Sequence, residues 1–316
     1  MERRGGSDDP AILGMKPLAT AAIVVATIAA SRPLGRRKWR VAEREIAARM
    51  ALGDDGIARG AHAIFDGGHQ RAALLLHGYG DTPHSLTHLA RRLHQAEWTV
   101  SAPLLPGHGR TLAAHHAVQA EELLAHAQQA FDELAARYSP VVVCGQSMGA
   151  ALAIELAATR NFAALALLAP YISMPYAARA VAITWPLSQL ALPVLRTRDR
   201  RSIQDAEAEA QSLGYGYTTP RLLSELWRLV RGARRSLPSI RTPTLIVHSR
   251  EDNRVPPIEV QRASALIQHP IKSLQWLTGC GHVLTADYCK DIVASLVLDW
   301  FERSTAAHRG PAAEAR

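Results

Sequence analysis

A serine, an aspartate and a histidine follow one another along the chain in an order that could support nucleophilic catalysis. Ser147 stands at the centre of the pentapeptide GQSMG at 145–149, and Asp252 and His282 come later in the sequence. A serine hydroxyl is a weak nucleophile near neutral pH, so it needs a histidine that takes its proton and a carboxylate that orients this histidine. We therefore predict that Ser147 is the nucleophile, Asp252 the acid and His282 the base of an acyl-transfer reaction.

Two other carboxylates compete with Asp252 for the role of the acid. Glu251 directly precedes it, and Asp287 follows the histidine by five positions. Asp252 is preferred because it comes just after the apolar run 244–249, which has the length and composition of a buried strand. Glu251 is interpreted as a helix cap or a surface charge.

The glycines at 145 and 149 suit a strand that turns directly into a helix. Residues 141–144 are apolar and mostly β-branched, whereas residues 150–158 are rich in alanine. The tight bend between them brings backbone segments together and leaves no room for side chains two positions on either side of its tip. The pattern therefore predicts that Gly145 and Gly149 support a turn that exposes the Ser147 hydroxyl at a helix N-terminus.

The tetrahedral intermediate of acyl transfer needs two N–H donors for its oxyanion. We predict that these are the backbone amides of Met148, which follows the serine, and of Tyr79, which follows His77 and Gly78. His77 and Gly78 are interpreted as supports of the oxyanion loop, and the Met148 and Tyr79 side chains are expected to line the pocket. This chemistry implies neither a metal nor an organic cofactor.

These residues need a scaffold that brings their loops to one edge of a sheet. Short apolar runs alternate with helical patterns, which predicts an α/β fold with a mostly parallel central sheet covered by helices on both faces. Ligands bind such sheets beyond the carboxyl ends of the strands, and each candidate residue follows a predicted strand. Residues 171–240 contain no convincing strand and are predicted to be a helical insertion over that edge.

The composition excludes several other classes of protein. The chain has 316 residues, enough for one large α/β domain, and a formal net charge of +8. Its arginines are scattered and only 5% of its residues are aromatic, so we interpret the positive charge as a solvated surface and predict no nucleic-acid partner. The three cysteines, Cys144, Cys280 and Cys289, are a sparse and odd set that argues against a disulfide framework.

The N-terminal residues 1–40 are predicted to be an extension of a domain that spans 41–303, and residues 304–316 a disordered tail. Residues 17–31 carry no charge, but this run is shorter than the roughly 20 residues of a spanning helix. Two interpretations stay open: a signal or anchor with weak membrane association, or a helix that packs on the domain. The basic run 36–38 favours a cytoplasmic or membrane-associated location, and secretion stays open.

Five stretches together resemble α/β-hydrolase fold serine esterases, and most of all small bacterial carboxylesterases and monoacylglycerol lipases. They are LLLHGYGDTPHSL, APLLPGHGR, VCGQSMGAALA, VHSREDNRVPP and TGCGHVLTADY. The resemblance covers about residues 57–303, and the order Ser, Asp, His is the one used by α/β-hydrolases. It implies a helical cap after the sixth strand, which matches residues 171–240, and the triad assigned above.

The substrate expected from these features is a small-molecule carboxylic ester with a hydrophobic acyl chain. The cap segment 176–195 is largely apolar and is expected to form an acyl-binding wall, with ordinary packing as the alternative. A thioesterase, or a C–C or other acyl hydrolase with the same triad, is the second hypothesis. A non-catalytic binding member of the fold is the third, and the oligomeric state is not predicted.

Overall fold

The computed structural model describes residues 17–197 and 202–306. Seven strands of this described part form one central sheet in the order β1-β3-β2-β4-β5-β8-β9, and two short strands, β6 and β7, form a separate pair. In chain order the strands are β1 Ile64–Asp66, β2 Arg71–Leu76, β3 Trp98–Ala102, β4 Val141–Gln146, β5 Ala164–Leu168, β6 Leu195–Arg196, β7 Tyr217–Thr218, β8 Thr244–Ser249 and β9 Lys272–Leu277.

The central sheet is parallel except at one edge. β1 pairs antiparallel to β3, and the other neighbouring strands pair parallel, with Leu75 opposite Cys144 and Cys144 opposite Ala166. β4, β5 and β8 are buried along their whole length, as expected when helices cover both faces of a parallel sheet. The predicted mostly parallel α/β sheet is confirmed.

Helices cover both faces of this sheet. α4, α5 and α9 share one apolar core with alternate strand residues, and α2 and α11 share the core on the other face. The helices are α1 Pro17–Arg49, α2 Thr87–Gln95, α3 Leu112–Ala117, α4 Ala120–Ala135, α5 Met148–Ala157, α6 Tyr176–Ile183, α7 Trp185–Ala191, α8 Ala206–Gln211, α9 Pro220–Ser236, α10 Pro257–Leu266 and α11 Lys290–Thr305, with 3-10 turns at Pro83–Leu86 and Leu237–Ser239.

The insertion expected at 171–240 lies between β5 and β8, and we call it the cap. Its described residues form α6 to α9 and the antiparallel pair β6-β7, so the expectation that it contains no strand is wrong. The cap follows the fifth strand of the sheet in chain order rather than the sixth. Its last helix, α9, fixes it to the body because the buried Leu222, Leu226 and Leu229 pack into the core beside α5.

The described part of the predicted N-terminal extension and the start of the predicted domain form one helix, α1, which contains Pro33. Residues 1–16 of that extension lie outside the described residues. Ala42, Ile46 and Met50 of this segment are buried in a third apolar core with Tyr215 and Tyr217 of the cap. In the part of the chain that the structure describes, no helix is both long and apolar enough to cross a membrane. At the other end α11 continues to Thr305, and the rest of the expected tail, from 307 onward, lies outside the described residues.

Candidate active site

Ser147 lies at the tip of a tight turn between β4 and α5. Its backbone has φ 58° and ψ −113°, a left-handed conformation that costs a non-glycine residue about 1–3 kcal/mol. The two glycines permit the turn, because a Cβ atom on Gly145 would lie 2.3 Å from the carbonyl oxygen of Gly149. A Cβ atom on Gly149 would lie 2.0 Å from the carbonyl oxygen of Leu76 in β2.

Backbone hydrogen bonds to the neighbouring strand hold this turn in place. The Ser147 N–H donates to the carbonyl of Leu168 at the end of β5, at 2.8 Å, and the Tyr171 N–H donates to the Ser147 carbonyl at 3.1 Å. The turn is therefore fixed by main-chain hydrogen bonds at the end of the sheet.

The three predicted triad residues meet at the carboxyl edge of the sheet. Ser147 Oγ lies 2.7 Å from His282 Nε2, and His282 Nδ1 lies 2.7 Å from Asp252 Oδ2. If Nδ1–H donates to the carboxylate, Nε2 is left as the acceptor for the hydroxyl proton. Both the serine and the histidine are less than a tenth exposed, and the Asp252 side chain is fully buried.

The carboxylate of Asp252 is also held by its own loop. Its Oδ1 accepts the N–H groups of Arg254 at 2.7 Å and Val255 at 2.9 Å. Burial raises the pKa of Asp252, but the contacts with His282, His248 and the Val255 amide outweigh it and lower the pKa below its ordinary value. The group is thus ionised at neutral pH, as an acid that stabilises an imidazolium must be.

The two competing carboxylates lie elsewhere. Glu251 Oε2 accepts the N–H of Gly279 at 2.8 Å, and Asp287 binds backbone amides. A buried histidine that the sequence reasoning did not single out, His248, lies against the acid instead. Its Nε2 is 3.0 Å from the Val255 carbonyl and 3.6 Å from Asp252 Oδ2.

The predicted oxyanion loop runs beside the serine. A Cβ atom on Gly78 would lie 3.4 Å from the Cβ of Ser147, so the loop and the nucleophile are in contact. His77 is fully buried and shapes the loop, since its Nδ1 lies 3.0 Å from the Gly78 carbonyl and its Nε2 accepts the Leu105 N–H at 3.1 Å. Burial lowers the pKa of His77 well below its ordinary value, so it stays neutral.

Two backbone amides are available to an oxyanion at this position. Met148 is the first residue of α5, and the first N–H groups of a helix have no partner within it. Among the described residues, neither the Met148 N–H nor the Tyr79 N–H donates a hydrogen bond to the protein. The helix N-terminus also places a partial positive charge beside the serine.

The loop that carries His282 is held by Asp287, a fully buried carboxylate. It accepts four backbone N–H groups, from Gly281 (2.7 Å) and Tyr288 (2.8 Å) of the loop and from Gln204 (2.8 Å) and Asp205 (3.0 Å) of the cap. Sequence reasoning weighed Asp287 only as an alternative acid. The structure instead shows a carboxylate that ties the histidine loop to the cap.

A second set of contacts joins the same loop to the cap. The Val283 N–H donates to the Ser202 carbonyl at 3.0 Å, and a Cβ atom on Gly281 would lie 2.6 Å from that same oxygen. The loop also contacts the nucleophile turn, because Gln146 Nε2 donates to the His282 carbonyl at 3.0 Å.

Cys280 and Cys289 form a disulfide that closes the histidine loop. The expectation that the cysteines form no disulfide framework is wrong for this pair, whose Cα atoms are 5.9 Å apart, within bridging range. Cys144 is free and buried in β4, and it made the count odd. The odd number of cysteines therefore misled the prediction. The informative feature of the sequence is that Cys280 and Cys289 stand on either side of His282.

A small pocket, with room for about one water molecule, lies beside Met148. Its wall is mainly apolar and joins the cap to the body; it consists of Tyr79, His108, His115, Val118, Leu123, Met148, Leu222, Glu225, Leu226 and Leu229. The cap residues in this wall belong to α9, and the apolar segment 176–195 contributes none of them. Burial lowers the pKa of His108 to about 4, so its ring is neutral there.

Comparisons with known proteins identify the family of the chain. Residues 67–288 match the hydrolase family described as serine aminopeptidase, S33. The chain is 26% identical over 248 residues to a thermostable monoacylglycerol lipase of Bacillus sp. (strain H-257), covering 78% of this chain and 96% of that protein. It is 24% identical over 241 residues to a carboxylesterase of Bacillus subtilis (strain 168), covering 76% of this chain and 95% of that protein.

Solved structures show the same fold. A structure of the metagenome-derived lipolytic enzymes LipS and LipT has a TM-score of 0.73 and 28% identity, covering 78% of this chain and 99% of that one. The monoacylglycerol lipase of Paleococcus ferrophilus has a TM-score of 0.66 and 18% identity, covering 77% of this chain and 98% of that one. The α/β-hydrolase fold that the sequence resemblance implies is confirmed.

Proposed function

We propose that this chain, which belongs to the hydrolase family described as serine aminopeptidase, S33, hydrolyses carboxylic esters through an acyl-enzyme on Ser147. The observation that carries the proposal is the continuous chain of two 2.7 Å contacts from Ser147 Oγ through His282 to Asp252. Two curated relatives are a monoacylglycerol lipase and a carboxylesterase, which supports an ester rather than a peptide as the substrate.

The proposed reaction proceeds in two stages, acylation and deacylation. Ser147 Oγ attacks the ester carbonyl carbon while His282 Nε2 takes the hydroxyl proton. The carbonyl oxygen becomes an oxyanion that the Met148 and Tyr79 amides stabilise. His282 then gives its proton to the departing alcohol. A water molecule attacks the acyl-enzyme while the same nitrogen takes its proton, and His282 returns this proton to Ser147 Oγ as the bond between Oγ and the acyl carbon breaks and the carboxylic acid leaves.

We propose a hydrophobic acyl chain for the substrate because the pocket beside Met148 has a largely apolar wall. That wall is formed by leucines of α9 together with residues of the body, so a chain bound there would have to separate the cap from the body. Activity should rise from acetyl to medium-chain p-nitrophenyl esters. The assay also includes monoacylglycerols, acyl-CoA thioesters and aminoacyl anilides. An optimum at acetyl, or a preference for thioesters or anilides, would contradict the assignment.

Labelling with a fluorophosphonate tests the nucleophile directly. The folded wild-type protein should be labelled at Ser147, and the Ser147→Ala variant should lose both the label and the esterase activity. Ser188→Ala, which changes an exposed cap serine bonded to Thr184, is the matched control and should keep both. Labelling that persists in Ser147→Ala would show that another residue is the nucleophile.

We also propose that residues 17–31 support weak association with a membrane. These residues are uncharged and lie in the N-terminal half of α1, and this helix packs on the cap through its other half.

A further inference from the structure

His248 is a fully buried histidine beside Asp252, and the sheet fixes the orientation of its ring. It is the penultimate residue of β8, and its ring packs at 78° to the ring of Trp276 in β9, with the two centroids 5.8 Å apart. Its Nε2 lies 3.0 Å from the Val255 carbonyl oxygen. Because a carbonyl oxygen accepts hydrogen bonds and cannot donate them, Nε2 carries the ring proton and is the donor.

The ring of His248 is neutral, and its second nitrogen is orphaned. Burial lowers the pKa of His248 below its ordinary value, against a weaker opposite effect of Asp252 and the Val255 carbonyl. Its Nδ1 is buried and has no hydrogen-bond partner in the part of the chain that the structure describes. An orphaned polar atom costs stability, and a phenylalanine ring would fill nearly the same space without that cost. What the histidine adds to the packing is therefore its Nε2–H group.

This Nε2–H group holds the loop that binds Asp252. The Val255 carbonyl accepts it, and the N–H of the same residue donates to Asp252 Oδ1 at 2.9 Å. Nε2 also lies 3.6 Å from Asp252 Oδ2, which is the oxygen that faces Nδ1 of His282 at 2.7 Å. His248 therefore acts on both carboxylate oxygens: on Oδ1 through Val255, and on Oδ2 through the partial positive charge of its N–H.

We propose that His248 is a positioning residue of the site, whose Nε2–H fixes the loop of Asp252 and keeps Oδ2 directed at His282. This inference rests on the proposed function, because the orientation of Asp252 affects turnover only if Asp252 stabilises the imidazolium of His282. The alternative is that His248 merely fills the space beside Trp276. The two interpretations differ in what they predict when the N–H is removed and the ring shape is kept.

His248→Phe makes that change. We expect kcat on a soluble short-chain p-nitrophenyl ester to fall by about tenfold, as when a supporting hydrogen bond of a functional group is lost. KM should change little, because neither His248 nor Asp252 contacts the substrate. A loss of packing alone would lower the melting temperature without this selective effect on kcat in the folded protein.

Two further variants separate the N–H from the ring. His248→Gln places an amide N–H near the position of Nε2 and should recover most of the turnover that His248→Phe loses. His94→Phe is the matched control, since His94 is a part-buried residue of α2 whose ring packs against His69. α2 packs beside β3, far along the sheet from β8, so this variant should keep the wild-type kcat.

Nuclear magnetic resonance tests the position of Asp252 without catalysis. The proton of the charge-assisted hydrogen bond between His282 Nδ1 and Asp252 should give a resonance far downfield, identified by its loss in His282→Gln. In His248→Phe this resonance should broaden, because a loosened carboxylate lets the proton exchange faster with water. In His248→Gln it should stay sharp. Nitrogen spectra of the wild type should show His248 protonated at Nε2 and not at Nδ1 near neutral pH.

Three results would overturn the proposal: wild-type kcat and an unchanged downfield resonance in His248→Phe, equal impairment of His248→Gln and His248→Phe, or a wild-type His248 protonated at Nδ1. If His248→Phe does not fold, the resonance in His248→Gln and the protonated nitrogen of the wild type still decide. A wild-type protein that hydrolyses no ester would contradict the proposed function instead, and the two spectroscopic measurements would continue to test the role of His248.

Discussion

The turn that carries Ser147 and the loop that carries His282 reach the same point of the site by different means. The turn is held by the main chain of neighbouring strands, through the Ser147 N–H to Leu168 and the close approach of Gly149 to Leu76. The histidine loop follows β9, an edge strand that is largely part-exposed. It is held by a disulfide, by Asp287 and by the backbone of the cap.

The difference divides the site into two parts that depend on different regions. Any disturbance of the central sheet should displace the nucleophile and its oxyanion amides together. A disturbance of the cap should reach His282 through Asp287 and Ser202 while it leaves the nucleophile turn in place. The position of the base relative to the nucleophile is therefore the quantity that the cap can alter.

The largest effect is expected for Gly149→Ala. Its Cβ would lie 2.0 Å from a backbone oxygen of β2, and backbone in the centre of a sheet cannot move aside. We expect an overpacking cost of about 3 kcal/mol or more, a melting temperature lower by roughly 10 °C and no measurable esterase activity. Thermal unfolding followed by circular dichroism gives the first value.

Gly281→Ala is the matched change in the histidine loop. Its Cβ would lie 2.6 Å from the Ser202 carbonyl of the cap, so the strain falls on the cap rather than the sheet. We expect a smaller loss of stability than for Gly149→Ala, together with a reduced kcat. Equal loss of melting temperature in the two variants would contradict the division of the site.

The second largest effect is expected for Asp252→Asn, measured as kcat on a soluble ester. The amide cannot stabilise the imidazolium and favours the wrong tautomer of His282, so kcat should fall by about 10⁴-fold. The melting temperature should change little, because the amide keeps the shape of the carboxylate. Near-normal turnover would move the acid role to another residue, such as Glu251 or Asp287.

The nucleophile turn could be predicted from the sequence because its determinants are local. An apolar β-branched run, two glycines and an alanine-rich run stand next to one another at 141–158, and the steric requirement connects them directly. The oxyanion loop was predictable for a related reason, since His77 and Gly78 directly follow a buried strand. The parallel sheet followed from the alternation of apolar runs and helical patterns.

The supports of the histidine loop could not be predicted in the same way. The role of Asp287 depends on amides of Gln204 and Asp205, more than 80 positions away, and no local pattern indicates that contact. The pairing of Cys280 with Cys289 depends on a loop conformation that a cysteine count does not contain. The short strands β6 and β7 have two residues each, too few for a periodic signal.

Asp287→Asn tests the coupling of this loop to the cap. An amide retains one acceptor oxygen but replaces the other with a donor that faces backbone N–H groups, which leaves buried donors unsatisfied. We expect kcat to fall by about 10- to 100-fold with a smaller change in KM, as when a supporting hydrogen bond of a functional group is lost. Steady-state kinetics on a soluble ester provide both constants.

The control for this change is Asp291→Asn, which alters an exposed carboxylate of α11 paired with His88. It should leave both constants unchanged. If Asp287→Asn lowered stability without lowering kcat in the folded protein, Asp287 would be a structural residue only, and the cap would not control the position of His282.

Removal of the disulfide by Cys280→Ser and Cys289→Ser should have a smaller effect on turnover. The bridge closes a loop with a sequence separation of 9 residues, and closure of so short a loop contributes about 2–3 kcal/mol to stability. We expect a lower melting temperature but less than a tenfold fall in kcat, because Asp287 still holds the loop. Combining this change with Asp287→Asn should reduce kcat by more than the product of the single effects.

The smallest effect is expected where the cap meets the helix of the nucleophile turn. Glu155 of α5 faces α9, since a Cβ atom on Gly232 would lie 2.4 Å from its carboxylate. Burial raises the pKa of Glu155 to about 7, against a weaker lowering by Arg235. Because the folded pKa lies above the unfolded value, ionisation of this carboxyl destabilises the fold. The free energy of unfolding therefore falls as the pH rises above about 4.5, and the loss caused by ionisation of Glu155 is complete above pH 7.

Glu155→Gln removes this cost, so the variant should be more stable than the wild type at pH 8 and equal to it near pH 4.5. Screening by solvent at this partly exposed site limits the gain to about 1 kcal/mol. Urea unfolding at the two pH values measures it, and Glu133→Gln on the exposed side of α4 is the matched surface control. Turnover should not change in Glu155→Gln, because a more stable packing contact between α5 and α9 alters neither the turn of Ser147 nor the contacts of Asp287. A change in kcat at constant pH would show instead that the nucleophile turn also responds to the cap.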